Sequence, residues 1–75
     1  MAKLPSLTAR QVIAALHRAG FLDDRQKGSH LILIHPGKSA RTVVPVHPGK
    51  TIKEPLLRGI IRDADLTVAQ FIDFL

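Results

Sequence analysis

The sequence contains no cysteine, tryptophan or tyrosine, and phenylalanine occurs only three times. Without cysteine, the chain can form neither a disulfide framework nor a thiolate metal site. With so few aromatic rings, it also lacks the side chains on which many RNA-binding domains stack bases. No apolar run approaches the roughly 20 residues of a membrane span. These absences exclude disulfide scaffolds and membrane-spanning chains, and they indicate that any RNA contact runs through phosphate and sugar.

Aliphatic residues, in contrast, are plentiful. Ile, Leu and Val together contribute 22 of the 75 residues, which is enough for one small hydrophobic core. We therefore predict a single domain over residues 1–75. The start, residues 1–5, lacks the apolar stretch of a secretory signal. We expect a cytoplasmic protein.

Positive charge is concentrated in the middle of the chain. The formal net charge is +5, but residues 25–62 alone carry +7, whereas residues 1–24 carry +1 and residues 63–75 carry −3. A basic middle segment favours a polyanionic partner such as nucleic acid. The alternative is a small basic domain whose charges serve only solubility.

Three segments have the apolar spacing of amphipathic helices. The first is predicted from Thr8 to Ala19, with a Thr-x-x-Gln capping box at its start and Gly20 as the left-handed residue after it. The second has Pro55 in its first turn. A second capping box at Thr67 predicts a short third helix.

Between the first two helices, β-rich segments predict antiparallel strands over residues 30–35 and 41–47, with a weaker strand in residues 21–27. The tetrapeptide His-Pro-Gly-Lys occurs at residues 35–38 and again at residues 47–50. We predict a type II turn at the first copy. Pro45 cannot donate to a strand ladder, so its strand is predicted at a sheet edge.

These elements predict a two-layer α+β domain in which helices cover one face of a sheet. A short loop joins the two strong strands, so His30 is expected beside Val46 and His47 at the far end of the pair. Lys50 and Lys53 follow at once, at the start of the second helix. Because a helix N-terminus favours anions, this edge is a candidate phosphate site.

Four histidines are candidates for proton transfer near neutral pH. His17 is expected on the surface of the first helix, and His35 in a turn. His47 also begins a turn but lies near the basic edge. His30 follows Gly-Ser at a tight turn, where the backbone lets a ligand approach closely. The same sequence leaves open a catalytic role for His30, a structural role, and a zinc site shared with His47.

The chain resembles the HicA family of toxins, small prokaryotic mRNA interferases related to the YcfA-like proteins. The matching motifs are Lys27-Gly28-Ser29-His30, Val44-Pro45-Val46-His47, Gly49-Lys50, Ile52-Lys53 and Leu57-Arg58. The resemblance implies a double-stranded-RNA-binding-domain-like fold with a three-stranded antiparallel sheet. It also implies cleavage of mRNA by the histidine of the Gly-Ser-His turn, here His30, and a HicB-type antitoxin as protein partner.

On this basis we expect a metal-independent endoribonuclease without a cofactor, in which His30 removes a proton from a ribose 2′-hydroxyl. The expected RNA-binding residues are Lys27, Gly28, Ser29, His47, Lys50, Lys53 and Arg58. One alternative is an RNA-binding module that does not cleave. Another is a protein that only engages its antitoxin, through an apolar strip of Ile32 and Ile34, or of Leu31 and Leu33, on the sheet face that no helix covers.

Overall fold

A computed structural model describes residues 3–75, so Met1 and Ala2, which the single-domain prediction includes, lie outside the described residues. In chain order the elements are β1 (Leu7–Thr8), α1 (Ala9–Arg18), β2 (Leu22–Lys27), β3 (His30–His35), β4 (Ala40–Pro45), β5 (Thr51–Ile52), α2 (Glu54–Asp63) and α3 (Val68–Ile72). Strands β2, β3 and β4 form an antiparallel sheet in that order. The predicted α+β fold of the double-stranded-RNA-binding-domain type is confirmed.

The helix ends follow the predicted chemistry. Thr8 and Thr67 each cap a helix through a reciprocal capping box, and Gly20 takes the left-handed conformation after α1, with φ +100°. Helix α2 differs, because Lys53 stands at its N-cap without a side-chain hydrogen bond and Pro55 occupies its first turn. The start of α2 therefore leaves backbone donors open.

The helices cover one face of the sheet. Leu31, Leu33 and Val44 belong to the continuous core that also contains the buried faces of α1, α2 and α3. Thr42 is buried on the same side and donates its hydroxyl to the Ile60 carbonyl at 2.9 Å. The described residues measure 33 × 30 × 18 Å, and the short dimension fits two packed layers. Among residues 3–75, no helix is both long enough and apolar enough to cross a membrane.

The face of the sheet that no helix covers carries Ile32 and Ile34, whereas Leu31 and Leu33 belong to the core. Of the two alternatives for the uncovered strip, the structure therefore shows Ile32 and Ile34. The prediction that this strip is exposed is wrong for Ile32, which is only 5% exposed although it lies outside the continuous core. Ile32 stands on the central strand, with Arg25 and Val43 directly opposite on its two neighbours. A residue on a central strand has neighbours on both sides, and this position fits the burial of Ile32.

Two further details differ from the prediction. Strand β4 ends at Pro45 on the sheet edge, so His47 follows the strand instead of ending it. The predicted type II turn at residues 35–38 is wrong, because Gly37 does not adopt positive φ and the left-handed residue of this loop is Ser39. A Lys38 N–H to His35 carbonyl bond still closes the turn.

One pairing was absent from the prediction. Strands β1 and β5 are only two residues each, and they pair antiparallel with Leu7 opposite Ile52 and Thr8 opposite Thr51. Such short strands give no periodicity to read from the sequence. The pair ties the start of α1 to the segment that leads into α2.

Candidate functional site

His30 lies at the first position of β3, directly after the tight turn at Gly28 and Ser29. Gly28 has a φ of +58°, which explains the glycine at this corner. His30 is exposed, and its neighbours across the sheet are Lys27 on one side and Pro45 on the other. Residues directly opposite in an antiparallel sheet share a face. The imidazole is therefore solvent-accessible, on the face away from the helices, beside a cation.

A cavity of about 380 Å³ opens next to this position. Its lining includes Pro45, His47, Lys50, Ile52, Lys53 and Leu56. Pro45 belongs both to the cavity wall and to the strand position opposite His30. The cavity and the Gly-Ser-His turn are thus neighbours at one end of the sheet.

Backbone bonds hold the two loops of this site together. The Val46 N–H donates to the Ser29 carbonyl, which links the end of β4 to the turn before His30. The Lys50 N–H donates to the His47 carbonyl at 3.1 Å and closes the following turn, where Gly49 has a φ of +78°. This turn brings His47 and Lys50 to one cavity wall.

The charges of the site are positive and exposed. His47, Lys50 and Lys53 line the cavity, and all three are exposed. The N-terminus of α2 adjoins them with open backbone donors, and its dipole adds partial positive charge. The arrangement can attract a phosphate group and stabilise negative charge that develops on it.

The predicted site residues divide into three groups. His47, Lys50 and Lys53 meet in the cavity. The turn residues Lys27, Gly28, Ser29 and His30 adjoin it through Pro45 but do not line it. Arg58 stands apart on α2, where its Nε lies 3.4 Å from the Glu54 carboxylate, four residues before it.

The remaining histidines have other surroundings. His17 is on the surface, as predicted, and its Nε2 lies 2.7 Å from Asp23 Oδ1. His35 packs edge-on against Phe21, with ring centroids 5.2 Å apart. Within residues 3–75, no group of three or more histidine, aspartate or glutamate side chains is arranged to hold a metal ion.

Leu56, which lines the cavity, and Arg10, which lines a second depression beside it, were not predicted from the sequence. Leu56 is 49% exposed at the cavity wall, and the signal for it was a leucine beside the buried stripe of α2 and not within it. Arg10 lines a second depression together with His47. The sequence feature that could have pointed to Arg10 is its positive charge in the first turn of a helix, where acidic side chains are the stabilising ones.

A family model described as the HicA toxin of bacterial toxin–antitoxin systems matches residues 9–66. The chain belongs to the HicA toxin family. The matched segment runs from the first residue of α1 to the loop after α2 and contains all the predicted site residues. A search of curated proteins found no match. As a HicA family member, the protein is a toxin of the toxin–antitoxin type, and the exposed histidine with its basic cavity lies inside the matched part.

Proposed function

We propose that this protein is an endoribonuclease that cleaves mRNA without a metal ion or cofactor, with His30 as the catalytic residue. The observation that carries the proposal is the position of His30: exposed, opposite Lys27, and joined through Pro45 to a cavity lined by His47, Lys50 and Lys53. Membership of a toxin family supports it. We propose further that residues 1–75 act as one domain in the cytoplasm.

In the proposed reaction His30 accepts the proton of a ribose 2′-hydroxyl. The freed 2′ oxygen attacks the adjacent phosphorus, and the bond from phosphorus to the 5′ oxygen of the next nucleotide breaks. That oxygen takes up a proton from water or from His47. The products are a 2′,3′-cyclic phosphate and a 5′-hydroxyl end, and such positioned proton transfer contributes about 10²–10⁴-fold to the rate.

Cations beside the scissile phosphate stabilise the charge that builds up during attack. Lys50 and Lys53 fit this role because they line the cavity, and Lys27 fits it because it lies opposite His30. Gly28 and Ser29 shape the turn that lets RNA approach. Arg58 is the weakest of the RNA-binding assignments, since its guanidinium already pairs with Glu54.

We propose a HicB-type antitoxin as the protein partner. The sheet face that carries His30 combines exposed Leu22 and Val43 with Arg25 and Arg41. An apolar strip with basic neighbours fits an acidic partner that also buries hydrophobic side chains. The partner assignment fails if the purified toxin shows no affinity for the product of the neighbouring gene.

The second candidate is an RNA-binding module that grips RNA without cleaving it. The exposed basic cavity suits both functions, because either one needs cations for phosphate. The chemical integrity of the RNA separates the two. We expect the purified protein to cut RNA during incubation in EDTA.

The ends of the fragments give the sharper measurement. Cyclic phosphate and 5′-hydroxyl ends, formed in EDTA, are the expected result. Fragments with 5′-phosphate ends, or activity that EDTA abolishes, would overturn the proposed chemistry. RNA that stays intact while it binds tightly would favour the non-cleaving module.

A further inference from the structure

Three depressions are linked by wall residues that they share. The cavity described above shares His47 with a second depression of about 380 Å³, between the turn at residues 46–49 and the start of α1. The second shares Arg10 with a third, of about 310 Å³, which follows α1 as far as Arg18. Because neighbouring depressions share wall residues, they form one row. We call the second and third together the α1 groove.

The charged side chains that line the row are all basic. Arg10 and Arg18 line the α1 groove, and His47, Lys50 and Lys53 line the cavity. Of the residues that the structure describes, no aspartate or glutamate lines any of the three depressions. A fourth depression beside His35 is different, since both Lys38 and Asp73 line it. A row whose charged side chains are all cationic fits an extended polyanion.

The position of Arg10 is not explained by helix stability. It is the second residue of α1, where a positive charge opposes the helix dipole. Helix α3 begins with the same capping box and has Ala69 at the equivalent position. Arg10 is exposed and takes part in none of the ion pairs found within residues 3–75. Its guanidinium is free to contact a ligand.

Arg18 differs from Arg10 in having a contact within the protein. Its Nε donates to the Phe74 carbonyl, and it lies in the last turn of α1, where a cation is favourable. Arg18 therefore contributes to stability as well as to the charge of the groove. Substitution of Arg10 therefore tests ligand binding with less effect on stability than substitution of Arg18.

We propose that the RNA bound at His30 continues along the α1 groove, where Arg10 binds a phosphate away from the scissile bond. This inference rests on the proposed function and extends it to a distal binding residue. Arg10 acts on substrate affinity, and the cleavage chemistry stays with His30. The surface then accepts a longer stretch of RNA than the cavity alone.

The test compares Arg10→Ala with Arg62→Ala, an exposed arginine on α2 that lines none of the three depressions. Both changes remove one positive charge. Both are made in a His30→Ala background, so that binding of a labelled single-stranded RNA is measured without cleavage. The dissociation constant is recorded over a range of salt concentrations, and circular dichroism checks the fold of each variant.

We expect Arg10→Ala to weaken binding about fivefold at low salt, as suits one exposed charge-assisted contact. The slope of log affinity against log salt should fall in magnitude by about 0.7, the value for one phosphate contact on a single strand. Arg62→Ala should leave the slope as it is. A loss of stability alone would not change the slope, so this readout separates binding from folding.

Equal salt slopes for the two variants would overturn the proposal. So would a result in which Arg10→Ala leaves RNA binding intact but weakens binding of the neighbouring gene's product, since the groove would then be a protein interface. If the parent protein neither binds nor cleaves RNA, the proposed function itself fails. The outcomes for the two proposals are therefore distinct.

Discussion

The chain contains the tetrapeptide His-Pro-Gly-Lys twice, at residues 35–38 and 47–50, and the two copies have different surroundings. Both close by a bond from the lysine N–H to the histidine carbonyl, at 3.2 Å and 3.1 Å. Beyond that bond they diverge. Gly49 is left-handed, whereas Gly37 is not, and Ser39 takes the left-handed position in the first loop.

The first copy has a structural role. His35 is half-buried, contacts Phe21 edge-on, and accepts the Gly37 N–H at its Nδ1 with a distance of 3.0 Å. Gly20 lies so close that a Cβ there would stand 2.7 Å from His35 Nε2. The ring is therefore fixed by packing and hydrogen bonding on all these sides.

The second copy faces solvent. His47 and Lys50 are exposed and line the basic cavity, and His47 also reaches the depression that Arg10 lines. In the first copy, the histidine ends a strand and packs against a phenylalanine. In the second copy, the histidine and the lysine line a cavity that can attract an anion. The comparison teaches that the neighbouring elements, and not the motif, determine the role of each imidazole.

The largest contrast is expected between the two lysines. Lys50→Ala should lower kcat/KM for RNA cleavage by about 10- to 100-fold, less than the loss of a fixed oxyanion donor because Lys50 is exposed. Lys38→Ala removes the same charge from the other copy and should change the rate less than twofold. Both keep the backbone N–H that closes the turn. Equal losses for the two variants would mean that only total charge matters.

Substitution of the two histidines should change the stability of the protein by different amounts. His35→Ala removes the contact with Phe21 and the acceptor for Gly37, and we expect it to lower the free energy of unfolding by about 1–2 kcal/mol. Urea unfolding followed by circular dichroism measures the change. His47→Ala should alter stability by less than about 0.5 kcal/mol, as for other surface substitutions. A His47→Ala variant as unstable as His35→Ala would contradict the comparison.

The smallest contrast between the two copies is expected from the glycines, because both substitutions should lower stability. Gly49→Ala should cost about 1–2 kcal/mol, since its φ is +78° and alanine is strained there. Gly37→Ala should cost less, because φ is ordinary and only a contact of 3.2 Å with His35 Cε1 must relax. Thermal unfolding of both variants checks this order. If Gly37→Ala proved the more destabilising, the difference between the two turns would lie elsewhere.

Much of the fold could be predicted because local chemistry decides it. The Thr8 and Thr67 capping boxes, the left-handed Gly20 and the edge position of Pro45 each follow from a few neighbouring residues. The β1–β5 pairing could not be predicted, because Leu7 and Ile52 meet only through the tertiary fold. Local signals predict elements, and contacts distant in sequence require the assembled structure.

In the candidate site, too, the features set by local sequence could be predicted and those set by distant contacts could not. Short loops bring His30, His47 and Lys50 towards one end of the sheet, which strand order alone predicts. The burial of Ile32 was not predicted, because the residues opposite it, Arg25 and Val43, belong to two other strands. The conformation at Gly37 was also missed, since the His35 ring accepts its N–H and favours a different turn.

The proposed cleavage depends on the imidazole of His30 acting as a base. The most direct measurement compares RNA cleavage by His30→Ala with cleavage by His17→Ala, which removes another exposed histidine that does not line the cavity. We expect His30→Ala to lose about 10²–10⁴-fold in rate with an unchanged circular dichroism spectrum, while His17→Ala retains activity. Cleavage by His30→Ala at the parent rate would contradict the account.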